Sequence, residues 1–176
     1  ETTVRKRTEM ILEQERDFTT AVIDTVDALV IVLDTQGRIV RFNHTCEKVS
    51  GYSYEELRNR CVWDVLLRSV DIAPVKMAFN DILSGRFQGN YENYWLTRSG
   101  EHRLISWSAT TLADDDGSIA YLICTGTDVT EQRRMESRRS TQAIITNILV
   151  QSHDLGDAVP GILGALSKAG LGTGTV

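Results

Sequence analysis

The sequence predicts an α+β domain, an antiparallel sheet of five strands with short helices on one side and a longer polar helix before and after it. Three observations lead there. Residues 28–33 are apolar without a break and run directly into turn chemistry and a second short β-rich segment. Three further β-rich stretches, Phe87–Thr97, His102–Ala113 and Ile119–Thr127, are separated by the turn formers Arg98-Ser-Gly-Glu101 and Asp114-Asp-Asp-Gly-Ser118. Between and outside these groups, apolar residues recur at helical spacing. Two strands, short helices and three strands is the order of a fold whose helices gather on one face of an antiparallel sheet.

Taken in order, Thr2–Val26 is polar and free of Pro and Gly, and Val4, Ile11, Phe18 and Val22 fall at spacings of seven and four that place them on one stripe of a helix. That stripe needs a cover, either the sheet of its own domain or the same helix of a second chain; Glu15 and Thr25 interrupt a coiled-coil seam. The continuous apolar run Ala28–Leu33 predicts a central strand covered on both faces. Thr35-Gln-Gly-Arg38 then supplies a turn in which Gly37 takes the positive φ of a tight hairpin, and Ile39–Phe42 returns. Asn43–Tyr54 has the Gly-interrupted character of short connecting helices, and Ser53-x-x-Glu56 is a capping box. Val62–Leu67 and Val75–Leu83 offer two more apolar helical faces, the latter with Pro74 in its first turn and Gly85 at its end.

The last strand ends on Asp128 and runs straight into the charged segment Glu131-Gln-Arg-Arg-Met-Glu136. Asp128 or Thr130 can cap the amides of that helix, and Glu131 suits the positive end of its dipole. Residues 131–152 contain neither Pro nor Gly, with Met135, Ile145, Ile148 and Leu149 as apolar members.

Composition narrows the function. With 41% apolar residues, the 176-residue chain can bury one core and still leave length for helices. A net charge of -5 argues against nucleic acid or an anionic membrane as the main partner. No apolar run reaches membrane-spanning length, no signal peptide opens the chain, and a first residue of Glu1 reads as a segment of a longer protein. Cys46, Cys61 and Cys124 are odd in number and widely spaced, which favours buried thiols in a reducing, cytoplasmic setting over disulfides or a zinc site.

Asp128-Val-Thr130 closing a last strand looks like the Asp-x-Thr boundary of PAS sensor domains. Ala28–Asn43, Ser50-Gly-Tyr-Ser-Tyr-Glu-Glu-Leu57, and Trp95-Leu-Thr-Arg-Ser-Gly-Glu101 with Ile105-Ser-Trp-Ser108 match the same family's habits in the same order. The resemblance implies a sheet of order 2-1-5-4-3 and a division into an amphipathic helix (1–26), a PAS domain (27–130), a signalling helix of coiled-coil type (131–153) and the start of a following domain (154–176). Leu155–Ala169 resembles the opening helix of a GAF domain.

The resemblance also implies a pocket between sheet and helices that Trp63, Met77, Phe79 and Cys124 can approach. A haem would need an axial ligand on the helix before the third strand, which holds no histidine; Met77 among Ala78, Phe79 and Ile82 reads as core. His44 sits at a strand-to-helix junction, and His102 and His153 read as surface. Cys61, in Asn59-Arg-Cys-Val-Trp63, lacks the Arg-Phe that follows the photoactive cysteine of flavin-binding relatives. No nucleophile elbow, phosphate loop, two-histidine metal motif, phosphoacceptor helix or cyclic-dinucleotide synthase signature is present. The expectation is a non-catalytic, homodimeric module without cofactor or metal, dimerised through its terminal helices, belonging to a bacterial-type sensor histidine kinase or cyclic-dinucleotide enzyme. Asp128 and Thr130 would relay sheet changes to the helix, with Arg98 as partner of Asp128. The alternative is a receptor for a flavin, haem or apolar metabolite.

Overall fold

The computed structural model describes residues 21–86, 89–151 and 155–168, together with Lys6, Arg7, Met10, Gln14 and Phe18. The chain divides into two units, Glu1–Asp128 and Val129–Val176. In the first, helical residues 21–24 lead into β1 (Leu29–Asp34) and β2 (Ile39–Phe42). Four helices follow: α1 (His44–Ser50), α2 (Tyr54–Leu57), α3 (Val62–Val65) and α4 (Ser69–Leu83). β3 (Tyr91–Leu96), β4 (His102–Ala113) and β5 (Ile119–Asp128) complete one antiparallel sheet of order β2-β1-β5-β4-β3. The implied sheet order is the observed one.

Central placement of β1 explains its unbroken apolar run. It pairs with β2 through Ile31↔Phe42 and with β5 through Ile31↔Cys124. Leu29, Ile31 and Leu33 are buried toward the helices, while on the opposite face Val30 is buried and Val32 only half-buried. Coverage of the second face is therefore partial, contrary to the expectation. Cys46, Leu57, Val62, Leu66, Leu67 and Phe79 close the core from the helical side.

Local chemistry sets the helix ends. Ser53 and Glu56 form the expected reciprocal capping box, with the Ser53 N–H donating to Glu56 Oε2 at 2.9 Å. Helix α4 begins at Ser69, six residues before the expected Val75, so Pro74 lies inside it rather than at its first turn. A proline there removes only a donation to the carbonyl of Val70, whose side chain is largely exposed and whose first turn faces water.

The second unit consists of α5 (Thr130–Gln151) and α6 (Leu155–Lys168). Helix α5 carries Arg134–Glu131 and Arg133–Glu136 ion pairs at 2.7 and 3.3 Å on its exposed surface. Gly161 of α6 brings its backbone close to Ile148 of α5, where an added Cβ would stand 3.3 Å from Ile148 Cγ2. No described helix is long and apolar enough to cross a membrane.

Candidate ligand cavity and strand-to-helix junction

Period-two alternation turns one residue in two of each strand toward the helices. Ile31 and Leu33 of β1, Leu122 and Cys124 of β5, and Trp107 and Ala109 of β4 form the floor of a cavity of about 80 Å³. Trp63 of α3 and Val75, Ala78, Phe79 and Ile82 of α4 roof it. Aromatic contacts fix both walls: Trp63 meets Phe79 edge-on at 5.6 Å, Phe42 stacks on Trp95 at 5.9 Å between centroids, and Trp95 meets Trp107 at 5.1 Å with the rings tilted 44°. Trp107 can lie this low because its partner across the ladder is Gly126. A Cβ there would stand 2.6 Å from the Trp107 ring and 2.8 Å from Ile105.

Among these apolar walls one residue is polar in the wrong place for solvation. Asn93 of β3 lies on the same face as Tyr91 and Trp95, lines the cavity and is 9% exposed. Its side-chain amide makes no hydrogen bond among the described residues. No described side-chain oxygen or nitrogen is both sealed off and unpaired, so open space remains beside this amide. Burial also raises the pKa of its neighbour Tyr91, with a smaller contribution from Asp71.

Burial pushes the Cys124 thiol up to about 12, and does the same to Cys46, whose Sγ donates to the Val30 carbonyl at 3.5 Å. Both thiols thus stay protonated in the folded protein where an unfolded chain, titrating near 9, has begun to ionise. Stability is unaffected by them below that value and falls as pH rises from about 9 toward 12, by up to about 1.4 kcal/mol per unit per thiol. With only Cys61 partly accessible among the three cysteines, a disulfide reagent at pH 8 is expected to label one thiol promptly and all three after denaturation. Prompt labelling of two or more in the folded state would contradict this burial.

The structure separates the expected site residues. Trp63, Phe79 and Cys124 line the cavity. Met77 does not; it is 67% exposed. Two residues from both Val75 and Phe79, it stands about 200° around the helix from the face they share, so it is neither pocket lining nor core. Arg98 does not pair with Asp128. Its guanidinium lies 3.0 Å from Glu56 and over the Tyr52 ring, and its N–H donates to the Ser50 carbonyl. The Ser53 N–H and hydroxyl, then Arg98, hold the Glu56 carboxyl below its ordinary pKa. Asp128 instead faces Arg103 at 3.6 Å. Register explains the exchange, because Asp128 pairs with Ile105 and Arg103 is the diagonal neighbour on the same face.

Thr130 is the first residue of α5, separated from the end of β5 by Val129 alone. Arg133 donates its N–H to the Val129 carbonyl at 2.9 Å. Phe18 and Val22 of the N-terminal stripe are exposed, whereas Val4 and Ile11 lie outside the described residues, as does His153. Asn93, Arg103 and Gly126 were not singled out from sequence. For Asn93 the signal was available, a polar residue on the apolar phase of Tyr91-Glu-Asn-Tyr-Trp95.

Comparison with known proteins agrees with this architecture. KinB, an alginate biosynthesis sensor protein of Pseudomonas aeruginosa, is 31% identical over 160 residues, covering 90% of this chain and 25% of that protein. The cyclic di-GMP phosphodiesterase PdeR of Escherichia coli is 27% identical over 123 residues, covering 69% of this chain and 18% of its own length. The chain therefore spans a quarter or less of either relative. Among solved structures, the PAS domain of the Cronobacter turicensis quorum-sensing receptor RpfR aligns at 23% identity over 60% of this chain and 96% of that domain. Its complex with BDSF gives a TM-score of 0.52 and its complex with C12:0 one of 0.53. The family described as PAS fold matches residues 23–134, which span β1 through the first turn of α5. By that match and by its sheet order, this chain belongs to the PAS fold family.

Proposed function

We propose that the chain is a non-catalytic input and dimerisation module of a multidomain signalling protein, a sensor kinase or a cyclic-dinucleotide enzyme, passing changes in sheet geometry to the helix after β5. One observation carries this: a single strand serves both ends. Leu122 and Cys124 of β5 floor the cavity, Gly126 seats Trp107, Asp128 meets Arg103, and α5 begins at Thr130. A shift of β5 thus moves the root of α5 through the chain itself. The half-buried Arg103–Asp128 pair, at 3.6 Å, is a loose contact of about 1 kcal/mol, enough to bias two arrangements without holding the fold together. In the full-length cytoplasmic protein, Asp128→Ala is expected to change kinase or cyclic-dinucleotide output at least about fivefold while leaving the melting temperature nearly unchanged. Equal output across several stimuli would remove Asp128 and Arg103 from the relay. Dimerisation is assigned to the N-terminal stripe of Phe18 and Val22, with Val4 and Ile11, and to α5; a monomer in sedimentation velocity would remove it.

A second reading adds a ligand to this relay. It is favoured by the cavity, which is apolar, lies against β5 and is roofed by α4, a helix that buries only Phe79 fully among its fifteen residues. At about 80 Å³ the space is far below the 300–1,000 Å³ of ordinary ligand pockets, so a sizeable ligand requires α4 to lift. RpfR, whose PAS domain was solved with BDSF and with C12:0, supports an apolar occupant. Native mass spectrometry of the purified chain tests for any bound molecule, and a visible absorption spectrum tests for flavin or haem.

A further inference from the structure

We infer that Asn93 is the recognition group of the cavity, and that the cavity takes a compact, mainly apolar molecule bearing one neutral hydrogen-bonding oxygen, a carbonyl or a hydroxyl. The inference rests on the receptor reading above and goes beyond it in naming both the contact and the ligand chemistry.

Four features converge on this residue. Asn93 occupies a strand position whose face is otherwise apolar or aromatic, between Tyr91 and Trp95 and opposite the fully buried Ile105. It is nine-tenths buried, and its amide makes no bond to any described residue. Buried polar groups are retained in a fold when they are hydrogen-bonded, and this amide holds nothing of its own chain in place. An apolar side chain would serve packing at least as well, so the chemistry of the amide points to something outside the chain.

The amide offers two donors and one acceptor, which suit a carbonyl or a hydroxyl equally. No charged side chain lines the cavity among the described residues. Lys76, the nearest roof cation in sequence to Val75, has its ammonium over the Trp63 ring at 4.8 Å and is not among the lining residues. A carboxylate would therefore enter without a counter-charge, at a desolvation cost that a single amide does not offset. A neutral oxygen carries no such cost. The selectivity between an analogue with that oxygen and one without it comes from leaving the amide unpaired.

The test uses the 176-residue chain, two variants, Asn93→Val and Asn93→Leu, and three probes of one ring size: cyclopentanone, cyclopentane and cyclopentanecarboxylate. Protein NMR shifts report binding. For the wild-type chain cyclopentanone is expected to bind more tightly than cyclopentane, and the carboxylate not to bind at neutral pH. In Asn93→Val the preference for the ketone over the hydrocarbon is expected to fall about tenfold. Without ligand, both variants are expected to melt no lower than wild type, because the amide holds nothing of its own chain in place; a role in holding the fold would lower the melting temperature instead. Asn93→Val is the smaller change and guards against crowding by Leu. If the hydrocarbon and ketone bind but their ratio does not respond to residue 93, or if the variants melt lower, the assignment of Asn93 falls and the receptor reading stands. If no probe binds any version, both fall.

Discussion

Gly37→Ala is expected to destabilise the domain by about 2–5 kcal/mol, two separate penalties acting at one atom. Gly37 holds φ at +77°, where a residue with a Cβ loses about 1–2 kcal/mol. The added Cβ would also overlap the six-membered ring of Trp63, and crowding of that kind typically costs about 1–3 kcal/mol more. Neither can relax easily. Asp34 accepts from the N–H groups of Gln36 and Arg38 at 2.9 and 2.8 Å, while Gly37 accepts from the Val62 N–H and Ile39 from the Asn59 N–H, both at 3.0 Å. The hairpin is thus tied to the segment that carries Trp63.

Gly37→Asn separates the two causes, since asparagine tolerates the left-handed region but keeps the clash. Pairing Gly37→Ala with Trp63→Leu is expected to recover the crowding share and leave the backbone share, a coupling readable by urea denaturation. Because Trp63 also roofs the cavity, any displacement would register there as altered probe binding. A Gly37→Ala protein within about 0.5 kcal/mol of wild type would show that the tryptophan is not seated on this turn.

The turn at Gly37 was legible in sequence; the tryptophan above it was not. Positive φ is a property of one residue and its neighbours, whereas the seat depends on two segments twenty-six residues apart meeting. The same division runs through the fold. Strand positions and the Ser53–Glu56 box followed from local chemistry, and the sheet order from the family resemblance. The start of α4 did not, because Pro74 looks like a first-turn residue until the exposed turn before it is known.

Arg103 and Arg98 make the point for the site. Which arginine meets Asp128 is decided by the β4–β5 register, where a slip of one residue would turn every side chain to the other face. That register passes through an irregularity between Leu112 and Ala113, next to the Asp114–Ser118 turn, and nothing in the sequence fixes where it falls. The family resemblance, and not periodicity, put Trp63, Phe79 and Cys124 around one pocket. Hydrophobic period had the information to exclude Met77, once the helical phase is anchored on Val75 and Phe79.

Asn43→Ala is expected to cost about 2–6 kcal/mol and to loosen the incoming helix from the sheet. Its side chain is buried and fully used: Oδ1 accepts from the N–H groups of Val30 and Cys46 at 3.0 and 3.1 Å, and Nδ2 donates to the carbonyls of Ala28 and Ile23 at 2.9 and 3.3 Å. Four bonds at about 0.5–1.5 kcal/mol each, one of them a helix cap, give the stated range. Against a typical total of about 5–15 kcal/mol that is a large fraction. Asn43→Ser can keep the cap to Cys46 but cannot reach back to Ile23, so it is expected to recover roughly 1 kcal/mol of stability and little of the tie. Two further bonds hold the same corner, His44 N–H to Asp24 at 3.0 Å and the Thr45 hydroxyl to the Val26 carbonyl at 3.3 Å, so the helix end should loosen rather than detach. Hydrogen exchange at Val30 reads this directly. Faster exchange there in Asn43→Ala than in Asn43→Ser would establish Asn43 as the link through which a signal arriving along the first helix reaches β1 and, across Ile31↔Cys124, the cavity and β5. Equal exchange in the two variants would reduce Asn43 to an ordinary cap.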